Sequence, residues 1–390
     1  MRILHFYPSN DALISLHVNM LCEATGQDVE CHTASSDMDA RTLLNGTRYD
    51  ILHLHGCWRN SSRKVVAAAL KCGTRLVVTP HGQLEPWIME EKRWKEKFLK
   101  RLLFQQRIIH QAYALILQGK MEQECMQRLG WNSRMVIVRN AAITHTITRK
   151  EMARQTFAVY RRVMDSNTLE LMEPQTRQAL RNLIIAGTWG DKRWLQMPVA
   201  KGNTADESSD NPNKSATVPS GYEGWRQLFC LSQQEQIDDT LKRGIRILGL
   251  DAPDIDFGDN YCFLPDGFNQ APSLQQALGN QFASENERLV ASFRYLRKLI
   301  SNRQISLRHV VEMTRELCTH HAEEDTLKET LREKRLLKTA SRLMQIADEL
   351  TGLPEGFMPV PPLSDRSTRK LRKQIESHLS ISSTTRINLL

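Results

Sequence analysis

Two short apolar runs, each closing on histidine and glycine, constrain this chain more than any other feature. They are Asp50-Ile51-Leu52-His53-Leu54-His55-Gly56 and Leu76-Val77-Val78-Thr79-Pro80-His81-Gly82. A short unbroken apolar run fits a strand covered on both faces, and parallel strands of that kind deliver polar groups to a crevice at their carboxyl ends. The two runs therefore predict neighbouring buried strands with a site rim at their ends.

The rest of the first part repeats the pattern. Further strands are predicted at 2–7, 29–32, 113–118 and 135–138, giving six in all. Helical patterns lie between them. Pro8-Ser9-Asn10-Asp11 supplies a cap for a helix carrying Leu13, Leu16, Val18 and Leu21, a second helix covers 61–71, a basic helix covers about 90–111, and another runs from Lys120 to Leu129 before Gly130. Strand-helix alternation predicts α/β architecture with a Rossmann-like parallel sheet over residues 1–146.

Residues 147–224 begin with helical sequence at 151–163 and 174–186. From 197 to 221 the composition turns to Lys, Gly, Asn, Ser, Asp and Pro, which is expected to form a linker or long loop. Residues 225–390 are predicted to be a mostly helical C-terminal region, with helices at 285–301, 306–318 and 326–350 and a single strand-like run, Ile245-Arg246-Ile247-Leu248. The basic stretch 367–373 fits a charged tail.

Composition limits the alternatives. The chain has 390 residues, 41% hydrophobic and 25% charged, enough for about two or three packed domains. No run approaches the roughly 20 apolar residues of a membrane-spanning helix. The net charge of +9 favours an anionic partner without selecting one. A nucleic-acid role would rest on that charge alone, because no aromatic-basic module accompanies it, so no nucleic acid is expected. The eight cysteines are scattered, with no Cys-x-x-Cys pair and no signal-peptide start, which fits reduced thiols in a cytoplasm. No metal is expected: Cys318-Thr319-His320-His321 has the residue types but no partner segment at ligand spacing.

Four segments agree in order and spacing with a known family. Asp50 to Gly56, Val77 to Gly82, Ala114 to Glu122 and Val136 to Ala141 resemble the N-terminal domain of family 4 glycosyltransferases. The resemblance covers roughly the first 145 residues and implies the acceptor-binding half of a GT-B enzyme. In such an enzyme a second Rossmann-like domain holds the nucleotide sugar, usually with a Lys and an Arg on the diphosphate and a Glu-x7-Glu pair. This chain departs from the pattern twice. Its first loop, Pro8-Ser9-Asn10-Asp11, lacks the usual glycines. No segment after Asn140 carries the donor pattern, since Glu355-Gly356-Phe357 is not followed by a second glutamate near Leu363. Donor-binding positions are therefore unknown.

The resemblance implies retaining transfer of a hexose from a nucleotide sugar to a glycan or lipid-linked acceptor in surface polysaccharide assembly. The nucleotide sugar is a co-substrate, and no other cofactor is expected. His81 is the expected catalytic residue, since a strand-end imidazole can hydrogen-bond a sugar hydroxyl or move a proton near neutral pH. The expected substrate-binding residues are His55, Gly56, Trp58, Gly82, Glu85 and Trp87. For Trp58 and Trp87 the plain alternative is covering the domain edge, for Glu85 a turn before Pro86. His5 and His53 are expected to pack between sheet and helices. The 92–104 helix is read first as a domain helix with a solvated basic face. The alternative is peripheral contact with an anionic membrane, at the inner face of a cytoplasmic location. A non-catalytic scaffold or binding protein without a donor site is the second function class.

Overall fold

The computed structural model describes residues 1–24, 26, 29–85, 104–196, 218–265, 267–279, 282–320 and 322–378. They form two compact units, Met1–Asp165 and Ser166–His378.

The first unit is a six-stranded parallel sheet: β1 Arg2–Phe6, β2 Glu30–Ala34, β3 Ile51–His55, β4 Arg75–Thr79, β5 Ala114–Leu117 and β6 Met135–Ile137. The spatial order is β2-β1-β3-β4-β5-β6, so the two histidine-ended strands lie side by side, with His55 opposite Thr79. The helices are α1 Ala12–Glu23, α2 Asp37–Gly46, α3 Asn60–Lys71, α4 Gln106–Gln111, α5 Lys120–Leu129 and α6 Arg149–Asp165. Asp11 caps α1 by accepting the Ile14 N–H, a contact worth about 1 kcal/mol. The buried stripe of α1 is Ile14, His17, Val18, Met20 and Leu21. Leu13 and Leu16, expected on that stripe, are 53% and 42% exposed. Helix α2 carries few apolar residues and has no counterpart in the sequence reading. Of the basic helix at 90–111, residues 86–103 lie outside the described residues.

The two sheet faces differ. Leu4, Phe6, Leu52, Leu54, Leu76, Val78 and Leu115 pack with residues of α2 to α5, among them Leu44, Val65, Ile109 and Met126. The opposite face, under α1 and α6, carries His5, His53, His55 and Thr79 beside Ile3, Ile51 and Val77.

The second unit is helical, with no strand among its described residues. Helices Pro174–Trp189 and Asp238–Leu248 approach so closely that a Cβ on Gly187 would sit 1.9 Å from the Thr240 carbonyl oxygen. A Cβ on Gly244 would sit 2.2 Å from that of Leu183. Ile245 to Leu248, read as a strand, therefore belongs to a helix. Its isoleucines alternate with Arg246, but Gly244 is fitted to a helix-helix contact. The expected helix 326–350 is two, Glu324–Glu333 and Leu337–Thr351, separated where Arg335 takes φ 56°. Residues 367–373 are a capped helix, Arg366–Glu376, with Leu371 and Ile375 buried, rather than a tail. Residues 197–217 of the expected linker lie outside the described residues, and Gly221 already starts the helix Gly221–Glu235.

Candidate functional site

The carboxyl ends of β3 and β4 leave the sheet through two left-handed turns. Gly56 and Trp58 have φ 82° and 67°, His81 and Gly82 have φ 54° and 75°. Left-handed backbone costs a non-glycine residue about 1 kcal/mol, so Trp58 and His81 need local support. It comes from side chains that take the place of secondary structure. Gln83 accepts the Cys57 N–H at 2.6 Å, and Gln105 accepts that of Trp58 at 2.8 Å. Glu122, buried in the first turn of α5, accepts the N–H groups of Gly82 at 2.8 Å and Gln118 at 2.9 Å. Burial raises the Glu122 pKa against those two bonds.

Behind these turns a row of imidazoles crosses the sheet. The Gln118 amide at the end of β5 lies 2.6 Å from His81 Nδ1, His81 Nε2 lies 3.0 Å from His55 Nδ1, and His55 Nε2 lies 2.9 Å from His5 Nδ1. With the Gln118 NH2 facing the ring, each imidazole accepts at Nδ1 and donates from Nε2. The row then ends on a buried His5 Nε2–H, which has no hydrogen-bond partner among the described residues. An unmet buried donor costs about 1–3 kcal/mol. Two more histidines flank the row. His53 is held at 2.6 Å by the Tyr160 hydroxyl of α6 and at 2.7 Å by that of Thr79. His17 of α1 donates from Nδ1 to Asn140 Oδ1 at 3.0 Å, after β6.

All five imidazoles are neutral. Burial lowers His5 to about 3 and His17 to about 4, and drives His53, His55 and His81 well below the ordinary histidine value. Desolvation of the charged form is the first cause in each case, and neighbouring histidines add to it in all but His17.

Loops after β1, β3 and β4 surround an open pocket of about 500 Å³, lined in part by Asn10, Asp11, Gly56, Arg59 and Gln83. The Arg59 guanidinium stands 5.5 Å over the Phe6 ring, and its Nη1 is buried with no partner among the described residues. The pocket thus offers one underused cation and several groups able to bond hydroxyls.

Residues 26–141 match the family model described as a glycosyl transferase 4-like domain. The N-terminal region is a glycosyltransferase 4-like domain. The match covers less than half of the chain, and no curated protein and no solved structure matches it.

Within this glycosyltransferase-like domain His55 and His81 are brought into direct contact, and Gly56 and Gly82 form the turns. Both ring nitrogens of His81 are taken, and the ring is uncharged. That arrangement suits a fixed hydrogen-bonding group rather than a base titrating near neutrality. Trp58 packs its ring against the leucine face and donates from Nε1 to the Gln83 carbonyl at 3.0 Å. Glu85 closes a turn through its N–H to Gly82 O at 3.0 Å, and burial raises its pKa. Trp87 lies outside the described residues. Sequence reasoning passed over His17, Gln118, Glu122, Asn140 and Arg59. Gln118 and Asn140 were findable, because each stands at or just past the end of a strand like the histidines already noted. Two triads of the cluster, His5-His53-His55 and His17-His55-His81, place ligand-capable nitrogens within 4.8 Å of one another, although their mutual hydrogen bonds already use several of those lone pairs. Among the described residues no helix is long and apolar enough to cross a membrane.

Proposed function

We propose that this protein transfers a hexose, with retention, from a nucleotide sugar to a glycan or lipid-linked acceptor in surface polysaccharide assembly. The acceptor would lie in the strand-end pocket of the N-terminal domain. The pocket carries the argument: its volume of about 500 Å³ suits one or two sugar rings, and Asp11, Asn10 and Gln83 offer bonds to hydroxyls. Arg59 would take an anionic group, such as the phosphate of a lipid-linked acceptor or the carboxylate of an acidic sugar. His81, hydrogen-bonded to His55 and Gln118 and not among the pocket's lining residues, would act as a neutral positioning group rather than touch the acceptor. Retaining transfer needs positioned groups and electrostatic stabilisation more than a protein nucleophile. The basic 92–104 segment supports peripheral contact with the anionic inner face of a membrane, where a lipid-linked acceptor would be met.

A second reading, a glycan-binding protein without transfer activity, is favoured by one observation. The second unit is helical, whereas the family resemblance implies a second Rossmann-like domain for the donor. Calorimetric titration with UDP-, GDP- and ADP-sugars, followed by assays of transfer, separates the two. Donor binding with sugar transfer supports the enzyme. Glycan binding without any donor binding supports the second reading. Arg59→Ala is expected to weaken an anionic acceptor at least about tenfold, the worth of a charge-assisted bond, with neutral glycans little affected.

A further inference from the structure

We propose that His5, Cys22 and Cys31 form a binding site for one zinc ion at the far end of the histidine row. The residues come from three elements: His5 from β1, Cys22 from the last turn of α1, and Cys31 from the edge strand β2. Cys31 pairs in register with Ile3, so its side chain leaves the sheet on the same face as His5. A His5 nitrogen and the two sulfurs all lie within 4.8 Å of one another. His5 Nδ1 is engaged by His55, which leaves Nε2, buried and unpartnered among the described residues, as the ligand atom. The two sulfurs lie close enough to share one ion.

Two thiolates and one imidazole are a zinc ligand set with an open fourth position. Zn–S bonds of about 2.3 Å and Zn–N bonds of about 2.0 Å put tetrahedral ligand atoms about 3.5–3.8 Å apart. Starting from separations of 4.8 Å or less, the three need to close by at most about 1.3 Å. Both cysteines are partly exposed, which leaves a route for the ion and room for water as fourth ligand. Binding releases the two thiol protons to solvent.

The ion would also set the row. Zinc on His5 Nε2 requires the proton on Nδ1, and a ligating histidine donates its other N–H to a second partner. His5 Nδ1 then donates to His55 Nε2, His55 Nδ1 to His81 Nε2, and His81 Nδ1 to the Gln118 carbonyl oxygen after the amide turns. Every bond reverses, each ring keeps one proton, and the unmet Nε2–H disappears.

The full-length chain, stripped by chelator under reducing conditions, is offered Zn2+ or Co2+. About one zinc per chain should survive desalting, and cobalt should show thiolate-to-metal charge-transfer absorption. Cys22→Ser and Cys31→Ser should lose that absorption, and His17→Ala, which alters the neighbouring all-histidine triad, should keep it. Since a cysteine variant can also misfold, the wild type carries a second readout: zinc should protect Cys22 and Cys31, but not exposed Cys72, from alkylation. A cobalt complex without thiolate absorption overturns the proposal. So does alkylation of Cys22 and Cys31 that zinc leaves unchanged, or a Cys22–Cys31 disulfide in place of bound metal under those reducing conditions.

Discussion

The two faces of the N-terminal sheet use the same strands and are equally buried, but they are stabilised in different ways. One side of β1 and β3 carries Leu4, Phe6, Leu52 and Leu54, the other His5, His53 and His55. The leucine face gains by removing apolar area from water, which asks little of geometry beyond close packing. The histidine face is sustained only where ring nitrogens find partners: Tyr160, Thr79, Asn140, Gln118 and one another. It is therefore more sensitive to protonation, and it is the face that runs out into the strand-end turns. Strand alternation allows one sheet to combine a stabilising side with a chemically specific one.

Acid should separate the faces most strongly. A histidine whose folded pKa is depressed takes up protons on unfolding, so its stabilisation is complete above the unfolded value of 6.5 and is lost as pH falls toward the folded value. For His5 at about 3 and His17 at about 4, going from pH 7 to pH 5 removes about 2 kcal/mol each. His53, His55 and His81 act in the same direction. In the second unit His309, lowered to about 4 by burial, adds the same effect once. Hydrogen exchange at about pH 5 should therefore show the histidine unit opening before the helical unit. Equal protection in both would break the comparison.

Leu52→Ala attacks the other face and should cost about 3 kcal/mol through lost transfer energy and a cavity. Measured by urea melts, that cost should stay constant between pH 7 and pH 5.5, whereas a cost that tracked pH would mean the two faces are not independent. Thr79→Val strands one nitrogen of His53 and should cost about 1–3 kcal/mol. Tyr160→Phe should cost a similar amount by stranding the other nitrogen. Leu13→Ser, on the exposed side of α1, should change the melting midpoint by less than the equivalent of about 0.5 kcal/mol. A larger loss there would mean that Leu13 is covered in solution.

The strands were legible because their apolar runs are bounded by sharp turn residues, and Asp11, Gly130 and the paired histidine-glycine ends mark where elements begin and stop. Helix α2 was not legible, since Asp37 to Gly46 carries too few apolar residues to show a period. Ile245 to Leu248 misled because β-branched alternation is a local signal, whereas Gly244 against Leu183 is a contact between distant segments. The rim of the site followed from strand ends. The row behind it depends on the spatial order β2-β1-β3-β4-β5-β6 and on α1 and α6 lying over one face, which no short segment encodes. His5 and His53 were correctly placed in packing, but their hydrogen bonding to one another's neighbours appears only in three dimensions. The approach of Cys22 to Cys31 has the same origin.

The central claim is that the histidine face is built from neutral imidazoles with assigned tautomers. A pH titration of the 15N-labelled histidine rings by NMR tests it directly. His5, His17, His53, His55 and His81 should keep neutral-ring nitrogen shifts from pH 7 down to about pH 5, and His17 should carry its proton on Nδ1. Titration of these rings with midpoints near 6.5, while the fold remains intact, would contradict the account.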